Sequence, residues 1–153
     1  MAESVSFQIS GLGNLKRIFD LMPVKFQQNS IKKAATFAIT PAVKAVEEEA
    51  PEDFGALKEA IGKRVRIYRT GGVVHAMVGI KDNFVRYYSG RKQRPSKYLH
   101  LVMYGTVHSA PNRFINRAFT RTSTDMQRRF IRKLKRDIPL DAARLRDKGV
   151  IRL

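Results

Sequence analysis

The residues best suited to acid–base or metal chemistry are few and widely separated in this chain. The three histidines, His75, His100 and His108, lack the helical spacing of a zinc site, and none lies beside a carboxylate in the sequence. The absence of cysteine excludes disulfides, thiolate metal ligands and cysteine nucleophiles. His75 and His100 fall on predicted strands, where an imidazole is more commonly a hydrogen-bonded structural group. We expect no metal, no cofactor and no enzymatic activity.

Motifs for phosphate binding or paired-carboxylate catalysis are weak as well. Residues 11–13 (Gly-Leu-Gly) lack the third glycine and the preceding long strand of a dinucleotide-binding loop, so they are interpreted as a turn. The densest acidic segment is 47–53, and its simplest interpretation is a solvated acidic helix end. The alternative is that the same segment meets the basic stretches of a neighbouring copy of the chain. The acidic contact candidates are Glu47, Glu48 and Glu49.

The residue types that recur at short spacing are basic and aromatic, and their chemistry is anion binding. Residues 83–97 show no helical or strand period and are interpreted as a long loop, a kind of segment that is often functional. Its cations can pair with phosphates or carboxylates, and its tyrosines can stack on bases. The candidates are Arg86, Tyr87, Tyr88, Arg91, Lys92, Arg94 and Lys97. No standard nucleic-acid-binding pattern accompanies them, so nucleic acid and an acidic protein surface stay equally open at this point.

Charge is distributed unevenly along the chain. Its 153 residues carry 30 Lys+Arg against 13 Asp+Glu, a formal net charge of +17. Residues 1–62 are nearly neutral (7 Lys+Arg against 8 Asp+Glu), whereas residues 63–97 (10 against 1) and residues 111–153 (13 against 4) each carry +9. Such an excess destabilises a compact state through self-repulsion. The charge therefore predicts an anionic partner rather than a reaction.

Hydrophobic spacing predicts an α+β fold with a long N-terminal helix and a C-terminal helix packed on a small antiparallel sheet. Residues 4–10 alternate as a short strand, and Asn14 starts a short helix that Pro23 closes. A longer helix with an alanine-rich buried face follows over residues 24–50. Pro41 lies inside it. We expect a kink there, the alternative being that a second helix starts at this proline.

The strand pattern lies in the middle of the chain. A short helical segment over residues 56–61 precedes two alternating segments, 63–70 and 73–80. The two glycines between these segments, residues 71–72, tolerate positive φ and predict a hairpin turn. Residues 98–103 are predicted to form another strand that ends at the following Gly-Thr pair. Together these segments supply the small sheet.

A basic amphipathic helix is predicted from about Pro111 to about Asp137. Its apolar residues recur at helical spacing, and arginines recur on its other faces. Pro139 ends the helix, because an interior proline removes a backbone hydrogen bond. The interface or DNA-facing candidates on this helix are Arg128, Arg132 and Arg136.

The last residues of the chain are interpreted as a basic tail. Residues 139–153 contain two further contact candidates, Arg144 and Arg146. Chain ends are ordered mainly where they dock, so we expect one domain over residues 1–138 and a tail that orders on assembly. No window approaches the roughly 20 consecutive apolar residues of a membrane span, and no membrane partner is expected.

Several short landmarks occur in an order that resembles a known family. In sequence order they are Gly11-Leu12, Ala50-Pro51-x-x-x-Gly55-x-Leu57, Tyr104-Gly105-Thr106 and Phe114-Ile115. With the alanine-rich helix and the hairpin, this series is similar to that of the small head–tail joining (neck, or tail-completion) proteins of long-tailed bacteriophages. The resemblance covers residues 5–137. The chain departs from the family pattern at Phe54, Met103 and Pro111, where threonine, an acidic residue and a different spacing to Phe114 are expected.

The resemblance implies a non-catalytic virion protein. Such a protomer assembles into a ring, usually a hexamer, in the neck between the capsid connector and the tail. Its partners are copies of itself, head-completion or connector proteins and tail-terminator proteins, and genomic double-stranded DNA passes through or near the ring. The implied location is the virion, and the host cytoplasm during assembly.

Four of the landmark and helix residues have structural roles that follow from their types. Gly55 and Gly105 are expected where a side chain would clash or where φ is positive. Phe114 and Phe119 are expected to anchor the last helix on the sheet. These are predictions of packing and turn geometry, and they assign no chemistry to the four residues.

Two functions therefore stand as expectations. In the neck protein, most arginines contact other proteins, because a strongly attractive channel lining would slow DNA ejection. The alternative is a monomeric basic nucleic-acid-binding protein that uses the basic loop and the basic helix. Its affinity would fall steeply with salt.

Overall fold

A computed structural model describes residues 13–52, 56–68 and 74–151. The elements, in chain order, are α1 (Gly13–Asp20), α2 (Val24–Ala38), α3 (Thr40–Glu49), α4 (Ala56–Ala60), β1 (Ile61–Ile67), β2 (Val74–Ile80), β3 (Arg86–Tyr88), β4 (Arg91–Gln93), α5 (Pro95–Tyr104) and α6 (Phe114–Asp147). β1 pairs with β2, and β3 pairs antiparallel with β4. The predicted α+β class, with a long C-terminal helix packed on a small antiparallel sheet, is confirmed. Within the described ranges, no helix is both long and apolar enough to cross a bilayer.

Contacts divide the chain into two compact units, and α6 contributes residues to both. Unit 1 contains the described residues of 1–38, 65–76 and 124–153, and unit 2 contains those of 39–64 and 77–123. Each unit has its own buried apolar cluster. The predicted strand over residues 4–10, the turn glycines 71–72 and the landmark Gly55 lie outside the described residues.

The core of unit 1 joins the N-terminal helices to the C-terminal part of α6. Its buried residues are Met22, Ala34, Leu134, Ile138, Ala142, Leu145 and Ile151. Pro139 lies inside α6, so the prediction that this residue ends the helix is wrong. Ala142 and Leu145 beyond it are buried, and this tertiary packing outweighs the backbone hydrogen bond that proline removes. The helix ends before Gly149, whose positive φ is typical of a C-terminal cap.

The core of unit 2 packs α3, α4 and β1 against the start of α6. Phe114 is fully buried there, in contact with a cluster that includes Val46, Leu57 and Ile61. Its predicted role as an anchor of the last helix is confirmed. Phe119 is partly buried and belongs to neither cluster of the described residues.

The predicted helix over residues 24–50 is two helices. Ile39 alone separates α2 from α3, and Pro41 lies in the first turn of α3. Proline is stable there because a first-turn N–H has no acceptor within the helix. The predicted kink is therefore wrong, and the alternative of a second helix starting at this proline is confirmed.

Residues 83–97 are not a loop. β3 and β4 form a short hairpin in which Tyr87 pairs with Lys92, and both turn residues, Ser89 and Gly90, have positive φ. Positive φ at both central residues is typical of two-residue hairpin turns. Each strand has three residues, which is too short to produce a visible alternation. The hydrogen bonds of the hairpin, rather than its hydrophobic pattern, define it.

Residues 98–103 are helical, so the strand predicted there is wrong, and His100 lies on a helix. α5 begins at Pro95, a favoured first-turn residue, and its inward side chains are Leu99, Val102 and Met103. These positions follow helical spacing, but an apolar run of this length fits a buried strand equally well. Packing of these side chains against the core of unit 2 stabilises the helix rather than a strand.

Candidate functional site

The hairpin and the start of α5 carry a group of exposed cations. We call them the hairpin cations and define them as Arg91, Lys92, Arg94 and Lys97. All four side chains are exposed, and none makes an ion pair with another described residue. Arg86 differs, because its guanidinium lies 2.6 Å from the Glu59 carboxylate. The predicted anion-binding segment therefore keeps four of its five cations available.

The two tyrosines of this segment lie on β3. Tyr87 is largely exposed and pairs with Lys92 across the hairpin, and Tyr88 pairs with Arg91. Cross-strand neighbours such as Tyr87 and Lys92 place an aromatic ring and a cation close together on one face. Tyr87 and Lys92 therefore form a small amphipathic surface beside the other hairpin cations.

The outward side of α5 is apolar as well as basic. Lys97, Leu101 and Tyr104 are spaced as one helical face, and the last two are 45% and 60% exposed. Val107, in the turn just beyond the helix, is 97% exposed. Sequence reasoning missed this surface, since a strand would have sent alternate side chains to opposite faces. We call these four residues the α5 outer face.

Gly105 sets the turn between α5 and α6. It has φ +78° and ψ 175°, a conformation essentially confined to glycine. A Cβ at this position would lie 2.8 Å from the Ser109 carbonyl oxygen and 2.9 Å from the Pro111 nitrogen. Both parts of the predicted role, positive φ and lack of space, are confirmed. The turn that it permits is closed by a bridge between Thr106 and Ser109, and Val107 lies at its tip.

A second basic surface lies on the part of α6 that belongs to unit 1. Arg128, Arg132, Lys135 and Arg136, with Ile131 among them, line one shallow depression and define what we call the α6 stripe. Arg136 contacts Asp137 at 3.0 Å, whereas the other three cations make no ion pair within the described ranges. The three predicted arginines of this helix are thus brought together on one surface.

The adjoining flank of the same helix segment is neutralised internally. Arg129 pairs with Asp125 at 2.9 Å and Lys133 pairs with Asp137 at 2.9 Å, and these two cations lie 5.9 Å and 5.7 Å from the Phe37 ring centre. Burial raises the pKa of the Asp137 carboxyl, but hydrogen bonds from Lys133 and Arg136 outweigh it and hold that pKa below its usual value. This flank stabilises the fold and offers little free charge to a partner.

The acidic end of α3 is occupied by arginines of the same chain. Arg121 lies 3.1 Å from Glu48 and 3.3 Å from Glu49, and Arg117 lies 3.3 Å from Glu49. These cations offset negative charge at the end of a helix, where it opposes the helix dipole. Glu47 makes no ion pair with another described residue. Two of the three acidic candidates thus have partners within one copy of the chain.

Of the two candidates near the chain end, Arg144 lines a second concave surface and Arg146 does not. Arg144 is 3.5 Å from Asp141, and Arg146 is 3.6 Å from Asp147. Asp141 also accepts a hydrogen bond from the buried Ser30 hydroxyl at 3.0 Å. Lys33 and Lys148 complete the basic rim of this open cavity in unit 1. Within this cavity, Asp141 partly neutralises Arg144.

The histidines show no metal-binding arrangement. His75 makes an edge-to-face contact with Tyr68 at 4.8 Å, and His100 and His108 are exposed. In the part of the chain that the structure describes, no three His, Asp or Glu side chains come together as metal ligands. The groups that the described surfaces do present are exposed cations with a few apolar neighbours.

The candidates fall into separate groups. The hairpin cations and the α5 outer face belong to unit 2, whereas the α6 stripe and the two arginines near the chain end belong to unit 1. No family model, curated protein or solved structure matches this chain.

Proposed function

We propose that this chain is a structural protein of the bacteriophage neck. In this proposal it forms a ring that joins the capsid connector to the tail, and genomic DNA passes through or near the ring. The observation that carries the proposal is the number of exposed cations that have no carboxylate to neutralise them. Seven belong to the hairpin and the α6 stripe: Arg91, Lys92, Arg94, Lys97, Arg128, Arg132 and Lys135.

The chain has few carboxylates left for these cations. Of the Asp and Glu carboxylates among the described residues, only those of Asp20, Glu47 and Asp82 lack an ion pair with another described residue. Exposed like charges repel one another unless counterions or a partner neutralise them. The exposed cations therefore favour an anionic partner outside the chain.

Self-association alone does not supply that partner. Each added copy brings a further net charge of +17, so a ring made only of this chain concentrates positive charge. Acidic surfaces of the adjoining neck proteins and the phosphates of DNA are the two sources of negative charge in the proposed setting. A protein at this junction meets both, which accounts for two basic surfaces of different character.

Charge reversal on the hairpin tests the proposal. In Arg91→Glu/Arg94→Glu/Lys97→Glu, we expect loss of the complex with connector and terminator proteins, measured by sedimentation velocity at near-physiological salt. Lys16→Glu/Arg17→Glu/Lys25→Glu is the matched control, because it makes the same charge change at exposed positions on α1 and α2. The control should assemble like the unmodified chain. Finding only a species of 17.5 kDa with the unmodified chain and all partners would contradict the proposal.

The second candidate is a monomeric nucleic-acid-binding protein, and the α6 stripe favours it. Four cations surround one apolar residue, Ile131, a composition suited to a phosphate backbone. Binding through 6–10 phosphates would lose about 10³–10⁵ in affinity between 50 and 200 mM salt. If Arg128→Glu/Arg132→Glu abolishes retention of a short DNA duplex and the chain stays monomeric with all neck proteins, this candidate replaces the first.

A further inference from the structure

Residues 83–124 contain no Asp or Glu, although they carry 8 Lys+Arg. This acid-free stretch covers the hairpin, α5, the turn after it and the start of α6. Arg86, Arg117 and Arg121 within it pair with glutamates of α3 and α4. The hairpin cations and Arg113 make no ion pair with another described residue, and the hairpin cations adjoin the α5 outer face in the sequence and in the same compact unit.

α5 is apolar on two sides. Leu99, Val102 and Met103 pack on the core of unit 2, while Leu101 is 45% exposed on the other side. Val107 is held almost entirely in solvent at the tip of a turn whose geometry requires Gly105. An exposed apolar surface rimmed by polar or charged groups is typical of a protein-binding site.

We infer that the α5 outer face, with the hairpin cations, docks an acidic segment of another protein that also carries apolar side chains. Charge complementarity argues for the acidic character, because the four hairpin cations, of which Lys97 lies on α5 itself, have no carboxylate partner among the described residues. The exposed side chains of Leu101 and Val107 indicate that the segment also carries apolar side chains, which would pack against them. The inference rests on the proposed assembly function, which it deepens by naming the chemistry of one partner.

Two other occupants fit the same surface less well. Nucleic acid would use the cations and the exposed rings of Tyr87 and Tyr104, but aliphatic side chains gain little from phosphates or from stacking on bases. A second copy of this chain would bring +17 toward a basic surface, and two glutamates at the end of its α3 already pair with its own arginines. An acidic protein segment with apolar residues can pair with the hairpin cations and also pack against the apolar side chains of the α5 outer face.

The test uses the full-length chain and two synthetic peptides of equal length and charge. One peptide alternates blocks of Glu and Leu, and the other replaces every Leu with Ser. By fluorescence anisotropy at near-physiological salt, we expect the Glu/Leu peptide to bind at least about tenfold more tightly. Equal affinity for the two peptides would overturn the inference, since charge alone would then account for binding.

Matched substitutions locate the binding surface. We expect Val107→Asp and Leu101→Ser each to weaken Glu/Leu peptide binding by about fivefold to tenfold. Val24→Asp and Leu140→Ser are the controls, since they make the same changes at exposed positions in unit 1 and should alter affinity by less than about twofold. If the two control variants weakened peptide binding as much as Val107→Asp and Leu101→Ser, the inference would be overturned. Amide chemical shifts of residues 91–107 provide the second readout and confirm that each variant is folded.

The remaining outcomes separate this inference from the proposed function. If Val107→Asp weakens binding of a short DNA duplex as much as peptide binding, nucleic acid is the occupant. If the same variant abolishes concentration-dependent self-association, a second copy is the occupant. Either result overturns the inference. Absence from the neck complex while the Glu/Leu peptide still binds would overturn the proposed function and leave the inference standing.

Discussion

Single residues decide the geometry of the turn between α5 and α6. Gly105 adopts a backbone conformation that other residues rarely reach, and neighbouring backbone atoms fill the space that a Cβ would need. Its N–H also donates to the Leu101 carbonyl at the end of α5. The exposure of Val107 therefore depends on the backbone conformation of Gly105.

We predict that Gly105→Ala lowers the free energy of unfolding by about 2 kcal/mol or more, because it adds both backbone strain and a clash. Urea denaturation measures this value. Gly149→Ala is the control, since Gly149 also has positive φ but no atom lies within 4 Å of the place that an added Cβ would take, and we expect it to cost about 1 kcal/mol. Equal losses in the two variants would show that the clash at Gly105 is relieved.

A pH-dependent contribution belongs to Asp137. Hydrogen bonds from Lys133 and Arg136 hold its carboxyl pKa below the usual 3.8, despite partial burial. A depressed folded-state pKa stabilises the protein above the unfolded-state pKa, and this stabilisation is lost as pH falls through the folded-state pKa. Asp137 is thus a local stabiliser of α6 at neutral pH.

Asp137→Asn should therefore lower the free energy of unfolding at pH 7 by about 0.5–1 kcal/mol. The difference from the unmodified chain should shrink as the pH falls below about 4. Urea unfolding at a series of pH values checks both statements. Asp82→Asn, at an exposed site with no ion pair among the described residues, is the control and should change the free energy of unfolding at pH 7 by less than about 0.5 kcal/mol.

At the scale of elements, α6 is the most informative helix. It runs for 34 residues through a proline and contributes to both compact units. Its residues beyond Pro139 are held by the apolar cluster of unit 1, which includes Ala142 and Leu145. Tertiary packing therefore extends the helix past the point where local propensity would end it.

We predict that Leu145→Ala lowers the free energy of unfolding by about 2–4 kcal/mol, because it removes buried methyl groups and leaves a cavity. Leu140→Ala makes the same change on the same helix at an exposed position, where we expect less than about 0.5 kcal/mol. Thermal and urea unfolding measure both variants. A negligible effect of Leu145→Ala would contradict the packing described for the end of α6.

The sequence pattern failed at α5 and at the hairpin because the segments concerned are short. Residues 98–103 are apolar in a run too short to distinguish a helix from a buried strand. β3 and β4 are too short to show alternation. Local periodicity was sufficient for α1 and for the strands β1 and β2, which overlap the predicted ranges, although β1 begins at Ile61 rather than at residue 63.

At the scale of the whole molecule, net charge is the dominant feature. A chain at +17 has exposed cations that repel one another, and dissolved salt screens this repulsion. The Debye length falls from about 30 Å at 0.01 M to about 10 Å at 0.1 M ionic strength. Screening should therefore favour the compact state.

We predict that raising NaCl from about 0.01 M to about 0.1 M increases stability by roughly 1 kcal/mol, which corresponds to about 2–4 °C in Tm for a chain of this size. Differential scanning calorimetry measures the shift. Arg91→Gln/Arg94→Gln/Lys97→Gln, which removes three positive charges, should reduce the shift. A Tm that falls with salt would show that the internal ion pairs outweigh the repulsion.

The sequence by itself determined the α+β class, the uneven charge, the buried Phe114 and the glycine at residue 105. These depend on composition, local spacing and the steric limits of a single residue. Only the tertiary structure decided that α5 is a helix, that α6 continues past Pro139, and which arginines are free. Arg117 and Arg121 are neutralised by glutamates 68 and 73 residues away in the sequence, and no local pattern contains such a pairing.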